Sequence, residues 1–293
     1  MRISSQQIYE TLLAGIHNQW QANAEASEQG STGRRFNRPS QDALAYKTSL
    51  DMRHIQNGID SSLGAIEVAK LRLGMSENAL APMLPILQRA QVLAVQLSSA
   101  TNSAAERKQA AVEISILRDQ LITLTNSRIN GVPLFAGTAT DVDPITLDAN
   151  GNAVYQGNAQ ERLVAITSTQ TIGSNIRADH TAFSQMFASV KSLEDALNIN
   201  DVNGITSALN QLNMASDTMI ELTAEVGGRM NTLNVREQAF LDLKAQTEIG
   251  LGKHEAVDMA EVATRLSQSQ IALQATYAQI ASFNQLSLVN FLR

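Results

Sequence analysis

Cysteine is absent from the 293 residues, which excludes disulfides, thiolate metal sites and a cysteine nucleophile together. Proline is scarce, at five residues, and aromatics make up only 4% of the chain. A mixture so poor in both, and rich in Ala, Leu, Gln and Ser, favours long helices over stacked sheets. A strong charge of either sign is also missing. Lys and Arg number 22 and Asp and Glu 28, a net charge of −6, too mild and too evenly spread to recruit nucleic acid or an anionic membrane. Neither is expected as a partner. The longest apolar run, Ala79 to Leu87, contains Pro82 and Pro85 and falls far short of the roughly 20 residues that span a bilayer. The opening Met1-Arg2-Ile3-Ser4-Ser5-Gln6-Gln7 leads into no apolar run of signal-peptide length, so no cleavable secretory signal is expected. If the chain leaves the cell, its route reads an uncleaved signal.

Catalytic and metal-binding patterns are missing as well. His17, His54, His180 and His254 are scattered, with no partner at metal-ligand spacing. No phosphate-binding loop, dinucleotide fingerprint or nucleophile elbow occurs. Asp141, Asp143, Asp148 and Asn150 lie close together, but they miss the calcium-loop spacing and its terminal Glu. Turn chemistry accounts for them better. The expectation is a non-enzymatic protein without cofactor or metal.

What is present is concentrated at the two ends. The 27 residues from Leu266 to Leu292 carry no charged side chain, and from Ile3 to Ala24 the one charge is Glu10. The C-terminal stretch is nonetheless full of Gln, Ser, Asn and Thr, so protein rather than lipid must cover it. Met259, Val262, Leu266, Leu273, Ile280 and Phe283, with Ser269 and Thr276 in the gaps, repeat at threes and fours, the spacing of a coiled-coil stripe. Ile8, Leu12, Leu13, Ile16 and Trp20 make a shorter stripe of the same kind. The two ends could pair with each other. A helix of 27 residues is about 40 Å long, and a pair of that length leaves most of its circumference bare. The missing charges therefore favour burial between molecules, with both ends poorly ordered in the free monomer. The expected interface comprises Ile3, Ile8, Leu12, Ile16, Met259, Val262, Leu266, Leu273, Ile280, Phe283, Leu288 and Phe291.

Between the ends lie helices with their own signals. Gly30-Ser31-Thr32-Gly33 marks a loop, and Ser40 is the expected N-cap of a helix running towards residue 80. Arg34, Arg35 and Arg38 cluster in that loop, either solvated or facing an acidic partner. Pro82 and Pro85 force a kink or restart. Ser103-Ala104-Ala105-Glu106 reads as a capping box, followed by the seam Ala110, Ile114, Leu117, Leu121 and Leu124 until Asn130-Gly131 stops the helix. A second long helix is expected after Asn203-Gly204, with the seam Ile205, Leu209, Leu212, Ser216, Met219, Thr223, Val226, Met230 and Leu233. Ile249-Gly250-Leu251-Gly252-Lys253-His254 should break it. In the centre the period changes. Ile145-Thr146-Leu147 and Ala153-Val154-Tyr155 flank a loop containing Asn150-Gly151, a strong hairpin signal, and Leu163 to Thr167 is strand-like. The expected fold is mainly α: a long helical rod or coiled-coil bundle formed by the N- and C-terminal segments, with a small β-containing central insert. Its expected divisions are residues 1–39 with 253–293 as a terminal helical assembly domain, 40–138 with 182–252 as a helical rod domain, and 139–181 as a small β-rich outward insert.

Several short motifs, in order, resemble the flagellin superfamily. They are Met1-Arg2-Ile3-Ser4 with Tyr9, Gly33-Arg34-Arg35-Phe36-Asn37-Arg38-Pro39-Ser40 with Asp42, Asn130-Gly131-Val132-Pro133-Leu134-Phe135-Ala136-Gly137-Thr138, and Tyr155-Gln156-Gly157. Val226-Gly227-Gly228-Arg229-Met230-Asn231 resembles a turn of the long helix, and Asp258-Met259-Ala260-Glu261, Gln270 to Ala275 and Leu286-Ser287-Leu288 resemble the terminal helix. Within that superfamily the resemblance is to the branch that joins hook to filament. It implies export through the flagellar type III apparatus to an extracellular position, with a cytosolic export chaperone on the C-terminal helix beforehand. It also implies self-association in a ring, hook-associated protein 1 below and flagellin above. A filament subunit is the nearest alternative, and the small insert and Phe135-Ala136-Gly137-Thr138 argue against it. A chemoreceptor-type signalling coiled coil would need a continuous helical hairpin, which the Asn150-Gly151 region interrupts.

Overall fold

The computed structural model describes residues 2–165 and 170–291. The chain is mainly α, in the order α1 (Arg2–Thr32), α2 (Ala43–Leu80), α3 (Met83–Leu97), α4 (Ala104–Thr125), then six short strands, α5 (Thr181–Asn198), α6 (Val202–Glu255) and α7 (Met259–Phe291). It divides into two compact units, residues 1–58 with 243–293, and residues 59–242.

The start of α2 differs from expectation. Ser40 lies in a turn, and the cap is Asp42, whose Oδ1 accepts from the Ala45 amide at 2.9 Å. A carboxylate facing the positive end of a helix is the stronger acceptor. The break at Pro82 occurs where predicted, between α2 and α3. Pro85 then falls in the first turn of α3, where a missing amide costs no intrahelical bond.

The capping box of α4 is present. Ser103 Oγ accepts from the Glu106 amide at 3.3 Å, and Glu106 Oε2 accepts from the Ser103 amide at 2.6 Å. That backbone bond, and after it the Ser103 hydroxyl, hold the Glu106 carboxyl below its ordinary range. A depressed folded value means that the stabilisation is present above the unfolded value and is lost as pH falls through the folded one. The gap in thermal midpoint between wild type and Glu106→Ala should therefore narrow on acidification through the carboxylate range. A gap independent of pH would contradict this.

α4 stops at Thr125, five residues before Asn130. Asn126 caps it, its amide reaching Ile122 O and its Nδ2 and Oδ1 bonding the Ile145 backbone. Asn130-Gly131 instead forms the loop of a hairpin between β1 (Arg128–Ile129) and β2 (Val132–Pro133). Both residues have positive φ, 49° and 80°, the requirement of a two-residue type I′ turn. The expected hairpin of β3 (Ile145–Leu147) and β4 (Ala153–Tyr155) forms with Thr146 opposite Val154. Asp148 Oδ1 closes its loop by accepting from the Asn150 and Asn152 amides, each at 2.8 Å. β5 (Leu163–Ala165) pairs antiparallel with β6 (Thr171–Gly173). The predicted strand ran on to Thr167, and residues 166 and 167 lie outside the described residues.

The core of the larger unit is one cluster drawn from α2, α3, α4, α5 and α6. Ile114 and Leu121 of the α4 seam are buried, as are Ile205, Leu212, Met219, Val226 and Leu233 of α6, so the three-four rhythm marks inward faces as expected. Phe135, entering from the β region, packs against Phe183 of α5 at 5.3 Å between ring centroids. Irregular segments are held by arginines that donate to main-chain carbonyls. Arg72 reaches Pro133 O, Arg162 reaches Thr138 O, Arg229 reaches Gly173 O and Asn175 O, and buried Arg107 reaches Leu97 O and Ser99 O.

The break expected at residues 249–254 does not materialise. α6 runs without interruption through Gly227-Gly228 and through Gly250 and Gly252 to Glu255. Glycine costs a helix about 1 kcal/mol, less than the seam packing on either side of the doublet supplies. The helix ends only where Glu255 is fixed by ion pairs.

Candidate assembly interface

In the smaller unit α1 packs along α7. Gly30 lies beside Val262, where an added Cβ would come within 3.3 Å of Val262 Cγ1. Ser269 Oγ donates to Gln19 O at 3.3 Å, and Trp20 Nε1 donates to the Tyr277 hydroxyl at 2.9 Å. Residue numbers fall on one helix as they rise on the other, so the pair is antiparallel. Its seam on α7 is Val262, Leu266, Ser269, Leu273, Thr276 and Ile280, all buried or half-buried. On α1 it is Leu12, Ile16, Gln19, Asn23 and Ala26. Both follow the four-three spacing of a coiled-coil face.

The expected interface residues therefore occupy different positions. Val262, 1% exposed, is covered by the chain itself. Leu12, Ile16, Leu266, Leu273 and Ile280 are half-buried, each keeping a share for another surface, and Met259 is exposed. The side chains of Ile3, Ile8, Phe283, Leu288 and Phe291 lie outside the described residues. Apolar groups that the expected interface omitted lie on the outer faces of the pair: Ile271 at 64% exposed, Trp20 at 55%, Tyr277 at 47% and Leu13 at 45%. Leu13 and Trp20 belong to the N-terminal stripe, while Ile271 and Tyr277 lie off the α7 stripe within the charge-free run.

The other end of the pair is anchored by a polar corner. Arg53 Nη2 donates to both Glu255 oxygens, at 2.7 and 2.8 Å, and Arg34 Nε lies 3.5 Å from the same carboxylate. Arg35 N donates to Glu255 O at 2.7 Å and Val257 N to Gly33 O at 3.1 Å, joining the α1–α2 loop to the α6–α7 junction. Phe36, buried, meets Tyr46 and His254 edge-on. Arg35 pairs with Asp42 and Arg38 with Glu28. The arginine cluster thus finds its acidic partners within the unit. Glu255→Ala leaves Arg53 without its acceptor in this corner and is expected to cost about 2 kcal/mol, read as a lower unfolding midpoint by calorimetry; an unchanged midpoint would show that solvent replaces the pair.

Among the described residues no group of His, Cys, Asp and Glu could hold a metal ion, and no helix is long and apolar enough to cross a membrane. The chemistry of this surface is that of packing.

A family model described as the bacterial flagellin N-terminal helical region matches residues 3–140. Flagellar hook-associated protein 3 of Salmonella typhimurium is 24% identical over 98% of this chain and 98% of its own length. A flagellin of Bacillus subtilis is 24% identical over 92% of each. The crystal structure of flagellar hook-associated protein 3 from Legionella pneumophila, 17% identical, superposes with a TM-score of 0.62 over 69% of this chain and 97% of that one, a shared fold. Nearly half of the chain thus matches the flagellin N-terminal helical region, and almost all of it aligns with a flagellar hook-associated protein 3, to which it is similar in sequence and in fold.

Proposed function

We propose that this protein is a structural adaptor of the bacterial flagellum, joining the hook, through hook-associated protein 1, to the flagellin filament. The observation that carries the reading is the α1–α7 pair. One seam is covered within the chain, while Ile271, Trp20, Tyr277 and Leu13 face outward on helices that have almost no charge to keep them in water. Burying each such side chain against a neighbour contributes about 1.5 to 3 kcal/mol, and assembly of identical copies into a ring repeats that gain at every contact. The half-buried Leu12, Ile16, Leu266, Leu273 and Ile280 complete the surface, with Met259 at its edge, and Ile3, Ile8, Phe283, Leu288 and Phe291 are part of the proposed contact set on the sequence pattern alone. Residues 1–39 and 253–293 act as the assembly domain, and their helices consolidate as neighbours arrive. The role is non-enzymatic. The site of action is extracellular, reached through the flagellar type III apparatus after a cytosolic chaperone has covered α7.

A filament subunit is the second reading, favoured by the likeness to flagellin over 92% of the chain. The longer match to hook-associated protein 3 and the small central insert weigh against it. A deletion strain separates the two. Completed hooks with no filament attached, and flagellin shed into the medium, are expected for the adaptor; intact filaments of another flagellin would overturn it.

A further inference from the structure

The chain contains four Asn-Gly pairs, at 57–58, 130–131, 150–151 and 203–204, and the structure treats them differently. Asn57-Gly58 lies inside α2, where the backbone is helical and each amide is directed at the carbonyl four residues back. At Asn150-Gly151 the glycine amide donates to Asp148 O at 3.0 Å, and the Asp148 carboxylate lies against the same loop. Asn203-Gly204 sits in the first turn of α6, where Asp201 Oδ2 would be 2.6 Å from a Cβ on Gly204. A carboxylate beside the glycine opposes loss of a proton from its amide. Asn130-Gly131 is different in each respect. Both residues are exposed, both are held at positive φ, and they lie between the paired residues Ile129 and Val132, so the ladder offers the Gly131 amide no acceptor.

We propose that Asn130 is a site of spontaneous covalent modification, losing its side-chain amide through a cyclic imide formed with Gly131. Gly131 N gives its proton to hydroxide and attacks Asn130 Cγ. The N–Cγ bond forms, the Cγ–Nδ2 bond breaks, and the amide nitrogen leaves as ammonia after taking a proton from solvent. Water then opens the imide. Cleavage at Cγ restores the main chain as aspartate, and cleavage at the backbone carbonyl routes the chain through Cγ as isoaspartate. No oxidant or cofactor is needed.

The two products have unequal consequences. Asp-Gly suits the same turn, whereas isoaspartate adds a methylene to the main chain and ends the two-residue loop. Immediately after it, Pro133 O holds Arg72, and Leu134 and Phe135 are buried. The modification therefore acts on the anchorage of the β region.

The test is ageing of the full-length protein in mildly alkaline buffer, with peptide mass spectrometry at all four pairs and isoaspartate-specific labelling. The peptide containing Asn130 should convert several-fold faster than the other three, with a rate that rises with hydroxide concentration, and the advantage should vanish in denaturant. Asn130→Asp, which keeps the turn, should remove most of the ammonia released by the folded protein. Equal conversion at all four pairs in the folded state, or a faster rate at any of the others, would overturn the proposal.

Discussion

Ile271→Asp is expected to abolish incorporation into the flagellum while leaving the unfolding midpoint of the isolated protein within about 1 °C of wild type, as surface substitutions usually do. Ile271 is 64% exposed on α7 and belongs to neither the α1–α7 seam nor a salt bridge, so the single chain loses little. In the assembly the same position recurs in every copy, and each aspartate would have to be stripped of water against an apolar neighbour, at several kcal/mol per buried unpaired charge. The measurements are attachment of filaments by electron microscopy and the midpoint by circular dichroism. Leu273→Asp is the useful contrast. It enters the half-buried seam and should fail in both assays, by loosening the pair as well as the contact. If Ile271→Asp assembled normally, the outer face of α7 would not be an interface.

Phe183→Ala should have the largest effect on folding. Phe183 is fully buried and meets Phe135, also fully buried, in a tilted pair. Truncation removes the transfer energy of the ring and leaves a cavity, together about 3 to 5 kcal/mol. For a unit of this size that corresponds to a fall of roughly 10 °C in midpoint. Because Phe135 belongs to the segment that follows the β1–β2 hairpin, the loss should be accompanied by faster amide exchange in residues 128–147. A fall of only about 2 °C, within the range of surface changes, would show that the two rings are not the link between the β region and the helices.

The sequence made the helical seams readable because they obey a rule that needs no tertiary knowledge. Residues spaced three and four apart share a face, and in α4 and α6 that face is the core. The Ser103–Glu106 box was equally local, and so was the hairpin around Asn150-Gly151. Reading failed where two meanings compete for one motif. Asn130-Gly131 fits a helix end and a hairpin turn, and only the pairing of Arg128 with Pro133 decides between them. Gly250 and Gly252 look like a break, yet the helix continues because Glu255, three residues on, is tied to Arg53 and Arg34 from elsewhere in the chain. The α5 helix obeys the same three-four rule as α4 and α6, with Phe183, Met186, Val190, Leu193 and Leu197 buried at spacings of three and four. At the candidate interface, the missing charges in residues 266–292 single out α7 as a whole. The face was harder to read, since the α7 stripe that signals a coiled coil is satisfied within the chain, and the exposed Ile271 and Tyr277 lie off it.

The guanidinium bonds to Pro133, Thr138, Gly173 and Asn175 have a corollary for how such a molecule diversifies. Every acceptor they use is common to all amino acids. Drift could thus rewrite much of the decoration between these fastenings, altering what the β region displays to its surroundings, while the mounting hardware stays the same.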